Sequence, residues 1–179
     1  MKFSKLLLVA LSLIGLSSCS SSLKIYESAE PKFDLFEYFQ GSTKAWGIFQ
    51  DFTGEVKRRF EVEITGTISD QGNTLTLDEQ FIYDDGEKDQ RVWVIKKSSD
   101  GKYIGTAGDV IGEANGAESG FALNWQYTLA LPYKDDVINV KFDDWMYRLN
   151  RDVMVNRAKV KKFGFTVGEV TLFFQKNSD

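Results

Sequence analysis

Strict alternation of apolar and polar residues in two long segments is the feature that most constrains how this chain folds. In segment 56–69, apolar side chains alternate with charged residues and threonines, and in segment 121–131 every second residue is large and apolar. A period of two places these side chains on one face of a β-strand, so both segments are predicted to be strands with one buried face. The alternating apolar residues of the first segment are Phe60, Val62, Ile64 and Ile68.

Eight further segments show shorter versions of this pattern, separated by turn signals such as Asp-Gln-Gly-Asn at 70–73. The additional predicted strands are 46–52, 75–83, 91–97, 103–116, 138–142, 145–149, 153–161 and 167–175. Residues 33–39 carry aromatic side chains at helical as well as alternating spacing. We expect them to form one short helix that closes an end of the fold.

Nine or ten sequential strands with short loops and almost no helix predict an all-β domain, either a sandwich or a closed barrel. Because the strands follow one another directly, we favour a single antiparallel up-and-down β-barrel with one short N-terminal helix. This outline is that of a lipocalin- or calycin-like barrel. A β-sandwich remains the alternative.

The N-terminus has the features of a bacterial lipoprotein signal. Lys2 and Lys5 precede an apolar stretch at 6–16, which is too short to span a bilayer and ends in Leu-Ser-Ser before Cys19. This ending resembles a lipobox, whose cysteine becomes lipidated; an ordinary secretory signal is the alternative. The predicted organisation is a signal peptide at 1–18, a lipidated Cys19 with a flexible tether to 31, and a barrel domain at 32–179.

Composition excludes several function classes. The chain has no histidine and one cysteine, so imidazole bases, Ser-His-Asp and Cys-His systems and the usual zinc sites are absent from it. The formal net charge is −4, and −6 without the segment that carries Lys2 and Lys5. With no basic stripe, nucleic acid is not expected as a partner. Ser20 after the cysteine resembles the pattern sorted to the outer membrane, so we expect a periplasm-facing protein attached to the membrane by its lipid.

Several motifs, in the same order along the chain, resemble one family. They are DGEKDQRVW at 85–93, YIGTAGDV at 103–110, NWQY at 124–127, FDDWMY at 142–147 and KFGFTVGEV at 162–170. The family is that of Gram-negative envelope lipoproteins catalogued as domain of unknown function 3833. The resemblance covers nearly all of the chain after the signal peptide and implies a single-domain envelope lipoprotein. It brings no catalytic residues and no cofactor with it.

Two charged residues are predicted to point into the barrel. Glu79 is in phase with the apolar residues of its strand, and Arg91 is in phase with Trp93 on the next strand, so the two could pair across the hairpin. A structural ion pair is one interpretation, and a polar anchor for a ligand is the other. The residues predicted to contact a ligand are Glu79, Arg91, Trp93, Asn124, Trp125, Tyr127 and Trp145.

Three further features each allow two interpretations. The glycines of segment 105–120 predict either bulges at a barrel corner or a wall kept small to leave room for a ligand. Asp143 and Asp144, with nearby arginines, predict salt bridges rather than acid–base catalysis. The acidic turn at 84–89 lacks the spacing of a calcium loop, so no metal site is expected.

The predicted function is that of an envelope lipoprotein that binds an apolar or amphipathic small molecule, such as a fatty acid, lipid or quinone-like compound, in a barrel cavity. One alternative is a structural or interaction lipoprotein whose outer face docks an envelope protein partner. A less favoured alternative is an isomerase-type enzyme that acts on a lipid-like substrate by carboxylate chemistry.

Overall fold

Ten antiparallel strands and one short α-helix form the fold. The computed structural model describes residues 22–98, 101–133 and 136–177. The helix is α1 (Leu35–Phe39). The strands are β1 (Gly41–Asp51), β2 (Val56–Ser69), β3 (Thr74–Tyr83), β4 (Lys88–Lys97), β5 (Tyr103–Thr106), β6 (Ala114–Ser119), β7 (Ala122–Tyr133), β8 (Asp136–Arg148), β9 (Val153–Lys162) and β10 (Phe165–Lys176).

Each strand pairs with the next one along the chain, and β1 also pairs with β10, so that the sheet closes into a barrel. The closing pair runs in register from Thr43 opposite Lys176 to Asp51 opposite Gly168. All pairings are antiparallel. The predicted all-β, up-and-down, lipocalin-like barrel with one short helix is thereby confirmed, and the sandwich is excluded.

Two predicted strand boundaries were wrong. Segments 138–142 and 145–149 belong to one strand, β8, which continues through Asp143 and Asp144. Aspartate is rare in strands, but here Asp144 points inward to hydrogen-bonding partners and Asp143 points outward to Lys161. The predicted strand 103–116 is instead a hairpin of β5 and β6, and the connection between them contains Gly112 at a φ of +71°.

Helix α1 closes one end of the barrel. Asp34 caps it by accepting hydrogen bonds from the amides of Phe36 and Glu37, which satisfies donors that a helix start leaves free. The guanidinium of Arg148, at the end of β8, donates to both carboxylate oxygens of Glu37, at 2.6 and 3.1 Å. Four of the five helical side chains are therefore held inside the barrel mouth at this closed end: Leu35, Phe36, Tyr38 and Phe39.

The segment before the helix also packs on the barrel. Tyr26 lies edge-on against Phe121, at 5.1 Å between ring centroids, and against Trp145 and Tyr147. The amide of Phe33 donates to the carbonyl of Gly120 at 2.6 Å. Residues 22–31, which were predicted to be part of a flexible tether, thus lie against the outside of the closed end.

Aromatic rings fill the space beside several interior glycines. A Cβ at Gly116 or at Gly105 would overlap the ring of Trp125, and one at Gly47 would overlap the ring of Phe60. The interpretation that the glycines of β5 and β6 leave room for a ligand is therefore wrong, because Trp125 occupies that room. Gly108, in the connection between the two strands, faces open space and has no such neighbour.

Replacing Gly116 by alanine is expected to destabilise the barrel by about 1–3 kcal/mol, because the added methyl group overpacks against Trp125. Gly108→Ala is the control, with little expected change. Chemical denaturation followed by circular dichroism measures both, and adding Trp125→Phe to Gly116→Ala should recover part of the loss. Equal effects of the two glycine substitutions would contradict this packing.

Candidate ligand-binding site

A cluster of polar side chains lies inside the barrel, surrounded by apolar walls. We call it the interior polar cluster; its members are Glu79, Arg91, Asp109, Tyr127, Asp144 and Asn156. Strands β3, β4, β7, β8 and β9 contribute one member each at an inward-facing position, and Asp109 comes from the connection between β5 and β6. Alternation explains the strand positions, since each member is two residues from a buried or partly buried apolar side chain of its strand.

Arg91 is the positive centre of this cluster. Its guanidinium donates hydrogen bonds from Nε and Nη2 to the Asp109 carboxylate. The shortest of them, from Nη2 to Oδ2, is 2.7 Å. Glu79, its register partner on β3, lies farther away at 3.8 Å. The ion pair predicted between Glu79 and Arg91 is thus present, but the tighter partner of Arg91 is Asp109.

Asp144 is held by neutral donors. The Tyr127 hydroxyl donates to Oδ2 at 3.3 Å, and the Asn156 side-chain amide donates to Oδ1. Only 6% of Asp144 and 1% of Asn156 is exposed. The side-chain oxygen of Asn156 is buried without a hydrogen-bond partner in the described part of the chain, so the cluster has acceptor capacity left over.

Burial raises the pKa of both inner carboxyl groups. Loss of hydration raises the pKa of Glu79 to about 7, against the opposing effect of Arg91. Loss of hydration likewise raises the pKa of Asp144 to about 7, although Asn156 and Tyr127 stabilise its charged form. Both carboxyl groups therefore change protonation state close to neutral pH. A carboxyl group of this kind can serve as a hydrogen-bonding anchor or as an acid–base group.

Apolar side chains pack on both sides of the cluster, and we refer to these two regions as the halves of the interior. Between it and α1 lies a packed apolar core that includes Trp93, Trp125 and Tyr103. On the other side, towards the open end, a second cluster is built around Leu129, Val140 and Val160 and also includes the rings of Phe49 and Phe142. The Tyr127 and Phe142 rings stack where the two halves meet, with 5.0 Å between their centroids.

The cluster is partly exposed to solvent at the open end. The side chain of Arg91 keeps 21% of its surface exposed and that of Asp109 keeps 33%, whereas Asp144 and Asn156 lie deeper. A molecule entering through the open end would meet Arg91 and Asp109 first. The arrangement can therefore offer both donors and acceptors to a polar group while apolar walls surround the rest of the molecule.

Five of the seven residues predicted to contact a ligand lie inside the barrel, and two do not. Glu79, Arg91, Trp93, Trp125 and Tyr127 point inward. Asn124 and Trp145 form an outward-facing register pair, and both donate hydrogen bonds to Asp143, so their predicted place in the cavity is wrong. Cys19, predicted as the lipidation site, lies outside the described residues.

Sequence reasoning missed Asp109, Asp144 and Asn156 as site residues. Asp144 is in phase with Phe142 and Met146 on its strand, and this phase was the available signal. Asn156 is likewise in phase with buried neighbours on β9. Asp109 had no such signal, because the prediction treated its segment as continuous strand.

A separate cleft lies on the outer wall, across β10, β1, β2 and β3. Its volume is about 560 Å³. Two outward-facing rows line it, together with Gly47, Phe60 and Tyr83. The row members are Ile82, Glu61, Trp46 and Phe173, and Asp84, Arg59, Ile48 and Thr171. The ring centroids of Trp46 and Phe173 lie 6.3 Å apart, and both side chains are exposed.

Within the described ranges, no group of three or more acidic or cysteine side chains is placed to hold a metal ion. In the same part of the chain, no helix has the length and apolar character needed to cross a bilayer.

The geometry defines the class as a lipocalin-like barrel with a buried polar cluster, and comparison with family models gives the family. Residues 13–176 match the model of the family described as "Protein of unknown function (DUF3833)". The chain belongs to this family, as the sequence motifs predicted. No curated protein matches the chain significantly.

Solved structures share the fold at low sequence identity. A protein of unknown function from the DUF3598 family of Nostoc punctiforme aligns with a TM-score of 0.59 and 10% identity, over 83% of this chain. The alignment spans about half of that protein, 51%. The S-type phycobiliprotein lyase CPES from Guillardia theta aligns with a TM-score of 0.56 and 12% identity, over 89% of this chain and 100% of the lyase. At these identities the likeness shows the fold alone.

The raised pKa values of Glu79 and Asp144 predict how stability depends on pH. Both groups hold protons more tightly in the folded than in the unfolded state, so stability should fall as the pH rises through the window from about 4 to about 7. One pKa unit corresponds to about 1.4 kcal/mol, so the two groups together account for several kcal/mol over this window.

Urea denaturation at about pH 5.5 and about pH 8 measures this dependence. Asp144→Asn removes one titration while it keeps the shape of the side chain, so the variant should lose less stability at the higher pH than the native chain. Asp85→Asn, at an exposed turn, is the matched control. A native chain that gains stability between these two pH values would contradict the burial described here.

Proposed function

We propose that this protein is a lipid-anchored envelope protein whose barrel binds an apolar or amphipathic small molecule in its open half. The observation that carries the proposal is the interior polar cluster, which lies between a packed closed half and the open end. Buried charges are costly unless they are paired with an opposite charge or hydrogen-bonded. This cluster has more carboxyl groups than its one guanidinium can neutralise. A bound polar group would supply the missing hydrogen bonds.

The walls of the open half suit an apolar tail. Leu129 and Val140 face each other across β7 and β8, and Phe142 and Val160 form the next inward pair across β8 and β9. The Phe142 ring stacks on Tyr127, and Leu129 and Val140 lie between Tyr127 and the open end. A tail extending outward from the cluster would therefore contact apolar surface along its length.

The charge of the cluster limits the kind of polar group it accepts. Glu79, Asp109 and Asp144 surround Arg91, and Asp109 already occupies the guanidinium. An anionic head group would face this excess of carboxyl groups, whereas a hydroxyl, carbonyl or amine would find donors and acceptors. We therefore favour a neutral or cationic head group over the carboxylate of a fatty acid.

The anchor rests on the sequence. The lipobox-like ending at Cys19, the apolar segment before it and Ser20 after it favour a protein held on the outer membrane and facing the periplasm.

Native mass spectrometry of the full chain, purified from membranes in mild detergent, tests the binding proposal. A discrete small molecule should remain bound to the native chain. Arg91→Lys and Tyr127→Phe should weaken its retention, because each changes a polar contact at the cluster with a small change in volume. Arg59→Lys is the matched control, since Arg59 forms its ion pair with Asp84 outside the barrel at 3.1 Å.

Added probes then test the head group. A straight-chain fatty alcohol, fatty amine and fatty acid of equal chain length differ only in the group that reaches the cluster. The alcohol or the amine should bind more tightly than the acid at neutral pH. A native chain that carries nothing and ignores all three probes would overturn the proposal.

The outer-wall cleft supports a second candidate, a protein that docks an envelope partner. Trp46, Phe173 and Ile82 are exposed at this cleft, and a cleft of about 560 Å³ is large enough to receive apolar side chains of a partner. Crosslinking in cells distinguishes the candidates. Loss of a specific crosslinked protein on Trp46→Ser, with small-molecule binding unchanged, would favour the docking function.

A further inference from the structure

The most exposed apolar side chains of the open end lie on three adjacent hairpins. In the barrel the β1–β2 hairpin neighbours β9–β10, which neighbours β7–β8. Phe163 is 88% exposed, Phe52 78% and Phe165 76%. We call these side chains and two others the apolar rim; its members are Phe52, Tyr133, Val137, Phe163 and Phe165. The β3–β4 hairpin at the same end instead has the charged tip Asp-Asp-Gly-Glu.

Phe163 occupies a backbone position that disfavours it. Its φ is +51°, and Gly164 follows with a φ of +85°. A two-residue hairpin turn of this kind favours asparagine followed by glycine, because bulky residues are strained in the left-handed region. An aromatic residue that is both strained and almost fully exposed contributes nothing to the turn, and this points to a role in contact with something else.

Lysines flank the apolar rim. Lys141 on β8 stands directly opposite Lys161 on β9, and such like-charged pairs are unfavourable in water. The ammonium of Lys162 lies 5.4 Å from the centre of the Phe163 ring. In the described ranges, Lys141 and Lys162 form no ion pair, and Lys161 has Asp143 as its partner at 2.9 Å.

The carboxylates near the first hairpin of the rim are already paired. Lys57 lies 3.3 Å from Asp51 and 2.5 Å from Glu55. The surface around Phe163 therefore combines protruding aromatic rings with cationic charge, the combination found where proteins lie in the interface of an anionic bilayer.

The rim is at the opposite end of the barrel from the N-terminal segment. The described chain begins at Ser22, and Tyr26 packs at the closed end, beside Phe121. A lipid at Cys19, three residues before Ser22, would therefore attach the barrel near its closed end. The apolar rim would then point away from that membrane.

We propose that the apolar rim docks onto a second lipid surface that contains anionic phospholipid, so that the protein bridges two membranes or two regions of membrane. The docking goes beyond small-molecule binding and does not depend on it. Only the bridging rests on the anchor of the proposed function.

Capture of acceptor vesicles by donor vesicles tests the proposal. The full chain is purified in detergent and reconstituted into donor vesicles of zwitterionic phospholipid, and fluorescent acceptor vesicles are made with or without anionic phospholipid. Donor vesicles should capture the anionic acceptors, and added salt should weaken the capture because it screens the lysines. Should the chain fail to anchor in the donors, it is floated directly with the acceptors, and the same dependence on anionic lipid is expected.

The variants are chosen to leave the fold intact. Phe163→Asn replaces a strained residue by one that the turn favours, so folding should be retained while most of the capture is lost. Lys141→Glu should reduce capture of anionic acceptors. Val92→Thr, at a half-exposed apolar position on the outside of β4, is the matched control and should leave capture unchanged.

Three outcomes would overturn the proposal. The first is a chain that binds neither type of acceptor, and the second is capture that is indifferent to Phe163→Asn. The third is a change in oligomeric state with Phe163→Asn, measured by light scattering, without any vesicle binding by the native chain. This last result would assign the rim to contact between two copies of the chain.

Discussion

Pairing of the first strand with the last is the constraint on which the rest of this structure depends. The hydrogen bonds between β1 and β10 leave no free sheet edge, and they create an enclosed interior with two ends. Helix α1 precedes β1 directly, so closure of the barrel also brings the helix to one end. Arg148 then fixes it through Glu37, and these hydrogen bonds lower the pKa of the Glu37 carboxyl.

Closure of one end makes the two halves of the interior different in packing. The half next to α1 is packed with large side chains, and Trp125 fills the space beside Gly105 and Gly116. Polar groups that would be expensive in such a core lie at its boundary with the open half. There Arg91 and Asp109 keep part of their surface in solvent, next to the apolar cluster around Leu129 and Val140.

Strand alternation predicted the barrel class and the inward direction of Glu79, Arg91 and Trp125, because a period of two fixes which face a side chain occupies. It did not predict the partner of Arg91. Asp109 reaches it only because the chain turns back between β5 and β6, a tertiary arrangement that glycines permit without specifying. The outward direction of Asn124 was available from its buried neighbours Leu123 and Trp125, because adjacent residues of a strand face opposite sides.

A crystal structure of the protein, purified from its membrane without refolding or delipidation, tests the central claim most directly. We expect electron density for a bound molecule in the open half, with its polar group against Arg91 or Tyr127 and its apolar part towards Leu131. Side chains that fill the open half completely, with any bound molecule on the outer wall instead, would contradict the claim.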